Sequence, residues 1–356
     1  MSEKIYHCNN CGGIYEFHVQ SQNLKCPNCG TEEEIPDLGG VSEHPLHLGM
    51  QHYASDVQKE TESVNMLDCS SCGASIEVAD NSTATSCPYC GAHIVLAQKQ
   101  VETITPDGIR PFQIDQNQVG NIFRNWIKGK WLAPNELKNA YQQDKVMGIY
   151  VPYWTFDAQV DTRYTCDVGD NYQESYRDKE GNLKTRTKIR WSRSSGRFSH
   201  FFNDVLVRAT KAIKDTLLKA VGAYDTETLK SYSSAYLSGF SAERHNVPID
   251  DAYLEAKVSM DNVLKDMVRN IELRRHDHVN NIRLQVDYAK ETFKHVILPI
   301  YITAYYFKGQ TYNVIINGET GNIYGEYPKS KVKIFLIVLA ILLVIALVYL
   351  YSTYSQ

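Results

Sequence analysis

The chain has 356 residues, enough for two or three domains. With 43% hydrophobic and 22% charged residues it is neither a disordered tail nor a collagen-like repeat. A formal net charge of -4 argues against a generic nucleic-acid binder, and 24 tyrosines favour aromatic-rich sheet over a bare helix bundle.

The first thirty residues hold four cysteines and no apolar run of the kind a secretory signal needs. Eight of the nine cysteines form two quartets, Cys8, Cys11, Cys26, Cys29 and Cys69, Cys72, Cys87, Cys90. Each quartet has two residues inside each pair and fourteen between the pairs, and the second starts 61 residues after the first. HCNNCGGIYEFHVQSQNLKCPNCG and DCSSCGASIEVADNSTATSCPYCG are therefore an internal repeat. A two-residue gap lets both sulfurs of a tight turn face one ion, and a glycine after the pair suits the turn. The spacing predicts two closed four-thiolate zinc sites, two zinc ions per chain, on ribbons spanning 1–33 and 68–100. Disulfides would need an oxidising compartment. Cys87-Pro88-Tyr89-Cys90 matches the glutaredoxin-type redox motif, but that motif works at a strand-to-helix turn and here it ends a hairpin. Cys166 stands alone and reads as a small buried residue.

Between the ribbons, 34–67 carries Pro36, Gly39, Gly40, Pro45 and Gly49 and reads as a linker. Its His44, His47 and His52 read as solvated, because both quartets are complete without them. Residues 1–100 hold four lysines, no arginine and thirteen acidic residues, a formal -9. Phosphate binding depends on cations, so ribbons this acidic point to protein contacts.

Residues 101–328 read as a tyrosine-rich α+β domain. Val119, Ile122, Phe123, Trp126 and Ile127 make a helical stripe over 115–128, and a second helix starts at Pro134. Strands are expected over 148–168 and 177–191, around the turn Glu180-Gly181-Asn182. Leu206, Ala209, Ile213 and Leu217 predict a helix over 204–221, and Tyr253, Ala256, Met260, Val263, Met267 and Ile271 another over 250–275. A meander follows, with strands at 283–288, 296–307, 310–316 and 322–324 and turns at Lys308-Gly309 and Asn317-Gly318. Pro299 suggests an edge or a bulge, and VPYWT near 151 faintly echoes LPIYI near 298.

Lys184, Arg186, Lys188 and Arg190 alternate along one strand, and residues 177–197 carry eight basic and two acidic side chains. Contact with anionic lipid or an acidic partner, and a charge-studded protective edge, are both compatible with this strand (184–190). The nucleotide, hydrolase, zinc-protease and deaminase motifs are absent, so no enzyme is expected; the alternatives to a scaffold are a nucleic-acid-associated membrane protein using strand 184–190 and an unrecognised enzyme in the tyrosine-rich domain, and His276 and His278 read as a solvated helix end.

Ile334 to Leu350 is an uncharged apolar run of seventeen residues. With Tyr351, and with Lys333 snorkelling, it predicts a transmembrane helix over 334–351 behind a basic flank, 329–333. The flank carries Lys329, Lys331 and Lys333, which predicts a single-pass, tail-anchored protein of the cell membrane with a cytoplasmic N-terminus.

Two CxxC-x14-CxxC ribbons, a tyrosine-rich α+β region with VPYW and INGETG, and one C-terminal span resemble a bacterial family of zinc-ribbon, single-pass membrane proteins. Its members are labelled by their ribbons as primosomal-helicase-like or transcription-factor-IIB-like, and some are encoded beside phage-shock protein A and band-7 homologues. The resemblance implies a membrane scaffold or adaptor that recruits such proteins in an envelope-stress response. The helicase label does not fit, because the helicase nucleotide motifs are missing.

Overall fold

The computed structural model describes residues 6–37, 39–47, 61–69, 74–77, 84–87, 89, 93–95, 99–138, 146–222, 224–307 and 310–354. In chain order the first elements are β1 (Glu16–His18), β2 (Asn23–Lys25), β3 (Glu32–Glu33), β4 (His44–Pro45), β5 (Thr61–Asp68), β6 (Ser75–Glu77), β7 (Ala84–Ser86), β8 (His93–Val95), β9 (Lys99–Ile104) and β10 (Gly108–Ile109). Then come α1 (Gln116–Gly129), α2 (Asn135–Lys138), β11 (Met147–Arg177), β12 (Leu183–Arg208), α3 (Asp215–Ala220), β13 (Lys230–Ser231) and β14 (Ser241–Glu243). The chain continues through α4 (Ile249–Glu272), β15 (His278–Phe307), β16 (Gln310–Asn317), β17 (Ile323–Gly325) and α5 (Lys331–Tyr354). The architecture is α+β with an antiparallel-rich sheet, as the sequence predicts.

Three long strands dominate. β11 runs antiparallel to β12, from Tyr153 opposite Arg208 to Arg177 opposite Leu183. It also runs antiparallel to β15, from Met147 opposite Ile302 to Gly169 opposite His278. At about 3.3 Å per residue β11 is about 100 Å long. Its burial falls in three steps that the sequence encodes. Ile149 to Ala158, an unbroken run of buried residues, is covered on both faces. From Val160 to Val168 every second side chain is buried, so one face is covered. Beyond Gly169 the β11–β12 hairpin has, among the described residues, no third strand beside it and is largely exposed.

The covering layer over the middle zone is α4. Ala252, Tyr253, Ala256, Met260, Leu264 and Val268 are buried, packing against Trp154, Phe156, Ala158, Val160 and Phe293, and further along against Tyr164 and Cys166. The expected stripe is corrected at its second half. It runs Met260, Leu264, Val268, whereas Val263 is 46% exposed. A 3-4 alternation runs nearly straight along a helix, whereas successive steps of four wind slowly around it, so the buried stripe of α4 spirals with the twist of the sheet beneath it.

The helix expected over 204–221 is not formed. β12 continues to Arg208, with Val205, Leu206 and Val207 opposite Phe156, Thr155 and Trp154, and only the short α3 follows. The apolar spacing there is helical by coincidence, and pairing on a strand already in place prevails. The chain turns at Asp204, whose φ is +51°, opposite a register shift at Asp157. Pro299 is also corrected: it lies within β15, opposite Tyr150, just before the ladder to β16 begins at Ile300. Its missing N–H therefore breaks no ladder. Val151 faces Leu298, so Pro152 and Pro299 are related by a local two-fold, the physical content of the VPYW/LPIY echo.

The stretch read as a linker contributes strands. β4 pairs with β15 at Thr292 and Phe293, and β5 pairs with β6 and β9. β6 in turn joins β14 and hence the main sheet. The Asn317-Gly318 turn forms: Asn317 Oδ1 accepts from the N–H groups of Glu319 and Thr320, and Glu319 holds Arg110 at 2.6 Å. The motif INGETG is thus a structural corner. The expected Lys308-Gly309 turn lies outside the described residues.

Candidate metal centre

β1, β2 and β3 form a three-stranded ribbon. Two matching knuckles carry its cysteines. The Cys8 N–H donates to Gly13 O (2.6 Å) and the Gly12 N–H to Cys8 O (2.8 Å), while the Cys26 N–H donates to Thr31 O and the Gly30 N–H to Cys26 O (both 2.9 Å). Gly12 and Gly30 have φ of +71° and +77°, the left-handed turn that a glycine after each CxxC makes possible.

The knuckles bring Cys8, Cys11, Cys26 and Cys29 together with all four sulfurs within 4.8 Å of one another. Cys8 and Cys29 approach to 3.5 Å, as do Cys11 and Cys26. Four sulfurs at about 2.3 Å from one tetrahedral ion stand about 3.8 Å apart, so the donor set fits a metal of that geometry. The backbone leaves room for little else, since a Cβ on Gly13 would lie 3.3 Å from Cys26 Sγ and 3.4 Å from Cys11 Sγ. The four sulfurs also perturb one another. The Thr31 hydroxyl and N–H pull the Cys29 thiol down to about 6. Against the Gly13 N–H, which lowers it, the Cys26 and Cys29 thiols push Cys11 up to about 12. Four thiolates at this spacing need a cation among them. Cys8 and Cys26 are buried and Cys11 and Cys29 exposed, which places the site at the ribbon surface.

Of the second quartet, Cys69 and Cys87 are described and Cys72 and Cys90 lie outside the described residues. Cys69 and Cys87 are buried, the same positions that are buried in the first quartet. The Cys69 N–H donates to Ala74 O at 2.8 Å, repeating the bond from Cys8 to Gly13.

Neither module hangs free. In the first, Tyr6 bonds Ser234, the Phe17 N–H donates to Ser238 O, and Gln22 reaches Phe112 O. In the second, Cys69, Ala74, Ile76, Cys87 and Tyr89 pack into the main core, and the Tyr89 hydroxyl donates to the buried Glu243 at 2.7 Å. Burial pushes Glu243 up to about 7, although Thr210 and Tyr89 both donate to it. Between the modules, Glu43 holds the buried Lys294 at 3.1 Å and His44 holds Asp107 at 2.7 Å, so this histidine is a fastening and not a ligand. Sequence reasoning missed these locks because their partners stand 154, 251 and 63 residues apart, beyond any local spacing signal.

Other candidate residues are placed as follows. Cys166 is buried with Tyr164, Val168 and Val268. His276 bonds Asp170 and His278 bonds Asn171, each at the end of the sheet and not converging on a shared point. His47 makes no metal cluster among the described residues and His52 lies outside them. The cations of β12 are partly neutralised by β11: Glu174 takes Arg186 (2.6 Å) and Lys188 (2.8 Å), and Asp178 takes Lys184 (2.9 Å). Arg186 and Arg190 stack over Tyr176 and Tyr172, both at 5.0 Å.

α5 is long and apolar enough to cross a bilayer, and none of its residues is buried. It starts three residues earlier than expected, and Lys333 is not free to snorkel. Its ammonium donates to Trp131 O (3.1 Å), Ala133 O (2.7 Å) and Asn135 Oδ1 (2.9 Å).

No protein-family model matches the chain, and no solved structure matches it. The uncharacterized protein YdjG of Bacillus subtilis is similar to it, 26% identical over 348 residues, which cover 92% of this chain and 91% of that protein.

Proposed function

We propose that the chain is a zinc-stabilised scaffold, anchored in the membrane by α5, that holds protein partners at the cytoplasmic face. The observation that carries this reading is the joint between α5 and the sheet domain. The Ser330 N–H donates to Leu132 O at 2.8 Å, and Lys333 binds three oxygens of the loop that follows α1. A helix bolted on in this way keeps the domain at the bilayer surface, and Trp131, 63% exposed beside it, suits the headgroup layer. Lys329, Lys331 and Lys333 favour a cytoplasmic domain.

Each quartet holds one zinc in this reading, Cys8, Cys11, Cys26 and Cys29 in the first and Cys69, Cys72, Cys87 and Cys90 in the second. The repeated spacing and the repeated Cys69 knuckle bond support the second site. Closed four-thiolate sites hold structure and leave no open coordination position for chemistry. Holding partners at a surface raises their effective concentration, so modest affinity is enough. By family resemblance the partners are phage-shock protein A-like or band-7-like proteins, and the setting an envelope-stress response. Nucleic acid is a weaker reading, because Glu174 and Asp178 already take three of the cations it would need. The test is to follow a fluorescent band-7-like partner in cells that keep residues 326–356 and lack the rest. The partner is expected to leave the membrane. If it stays, the sheet domain is not what holds it.

A further inference from the structure

β12 is the outermost long strand of the sheet. It pairs with β11 on one side and, among the described residues, with no strand on the other. Over residues 183–203 this free edge is about 70 Å long, and every second N–H and C=O along it points outward. Long open edges invite another strand, and proteins normally blunt them. The side chains of 183–203 select what can be added. Six are basic, Lys184, Arg186, Lys188, Arg190, Arg193 and Arg197, and none is acidic. β11 supplies carboxylates to the first three only. Arg193 and Arg197 have no ion pair among the described residues; Arg163, directly opposite Arg197, is taken by Asp287 at 3.2 Å.

These features exclude several occupants. A second copy of the chain would set cations against cations, since the stretch has no acidic side chain to interleave. A nucleic-acid backbone offers acceptors only and would leave the outward carbonyls unmatched. The bilayer that holds α5 is an unsuitable partner too, because Arg197 and Lys184 lie about 35 and 80 Å along β12 from Arg208, at the base of the sheet. An extended acidic peptide meets every requirement. Its main chain supplies both donors and acceptors, and carboxylates at alternate positions match Lys184, Arg186, Lys188 and Arg190 on one face of the strand, while Arg193 and Arg197 stand on the other.

We infer that the outer edge of β12 binds an extended, acidic strand of a partner protein by strand addition. The inference deepens the scaffold reading by naming the partner's chemistry, and its test uses purified protein so that the two can fail separately. The full chain in detergent is titrated, at physiological salt, with a fluorescent peptide of about twelve residues alternating Glu and Val. A Lys/Val peptide and a single-stranded oligonucleotide of the same length serve as controls. The Glu/Val peptide alone is expected to bind, and to slow hydrogen exchange of amides within 183–203. Arg190→Glu, Arg193→Glu and Arg197→Glu combined should weaken it by about tenfold or more, and the Gln versions by less. Should the Glu versions not fold, the Gln versions and the exchange pattern decide. Absence of binding, binding that leaves 183–203 exchanging as before, or unchanged affinity in the Gln variant would each overturn the inference. Tighter binding of the oligonucleotide would assign the edge to nucleic acid. Peptide binding without partner recruitment in cells would leave the edge assigned and remove the scaffold.

Discussion

The sharpest residue-scale consequence concerns the cysteines. Structural zinc contributes about 10–16 kcal/mol in small domains, so under the proposed two-zinc reading each ribbon would depend on its ion. The full chain is expected to bind two zinc ions, Cys8→Ser or Cys69→Ser to leave one, and Cys166→Ser to leave two. Metal analysis of the purified proteins decides, and one zinc with intact thiols in the parent chain contradicts the second site. Histidines give a pH prediction. His295 is buried against Trp154 and His245, with ring centroids 4.8 and 5.0 Å away, and neither of its ring nitrogens has a hydrogen-bond partner among the described residues. Burial, and then the neighbouring Arg244, pull His245 down to about 4, and burial pulls His295 down as well. An unfolded histidine takes its proton near 6.5, so on acidification the unfolded chain is protonated first. Stability present above pH 6.5 is thus lost as the pH falls towards 4, by about 2–3 kcal/mol for His245. Denaturant melts of His245→Gln combined with His295→Phe are expected to show a shallower loss than the parent over that window.

At the scale of elements, α4 separates two readings of one sequence. Met260 is fully buried and Val263 46% exposed. Met260→Ala is expected to cost about 2–5 kcal/mol and Val263→Ala about 0.5 kcal/mol or less. Comparable losses in equilibrium unfolding would restore the stripe through Val263. The corner at Gly318 is similarly specific. A Cβ there would lie 2.6 Å from Phe112 and 2.8 Å from Pro299, so Gly318→Ala should lower stability by about 1–3 kcal/mol in the same assay.

What the sequence made legible follows from local physics. The CxxCG knuckles, the ends of α1 and α4, the Asn317-Gly318 corner and the apolar run of α5 are each set by residues within a turn or two of one another. Asp115, where the expected helix begins, caps α1 and accepts from the Gln118 N–H at 2.8 Å. The unread parts are those set at a distance. Residues 192–200 of β12, Ser, Arg and Gly-rich, carry no strand-like apolar alternation and are held by β11. The same holds for 204–208, where a strand partner overrode a helical spacing. The first four-cysteine cluster was legible because its CxxC spacing is local. The free edge of β12 was legible only as charge, since which strand is outermost is a property of the whole sheet.

On the scale of the whole molecule, burial decreases along the sheet from a base covered on both faces to a bare hairpin, while both cysteine modules and α5 fasten near the covered end. In the scaffold reading, the bare hairpin is the part of the sheet left open to partners. Removing 331–354 is expected to release the chain into the soluble fraction. Retention at the membrane would mean that a second element, such as the β12 cations, also anchors it. The same truncation gives the most direct test of the scaffold itself. Partners are captured on the tagged full-length chain and on the truncated chain, and their distribution between membrane and soluble fractions is measured by quantitative mass spectrometry. The account predicts one shared set of partners that moves into the soluble fraction together with the truncated chain. Partners that remain at the membrane when the chain leaves it, or a chain that captures no common set in either form, would contradict it.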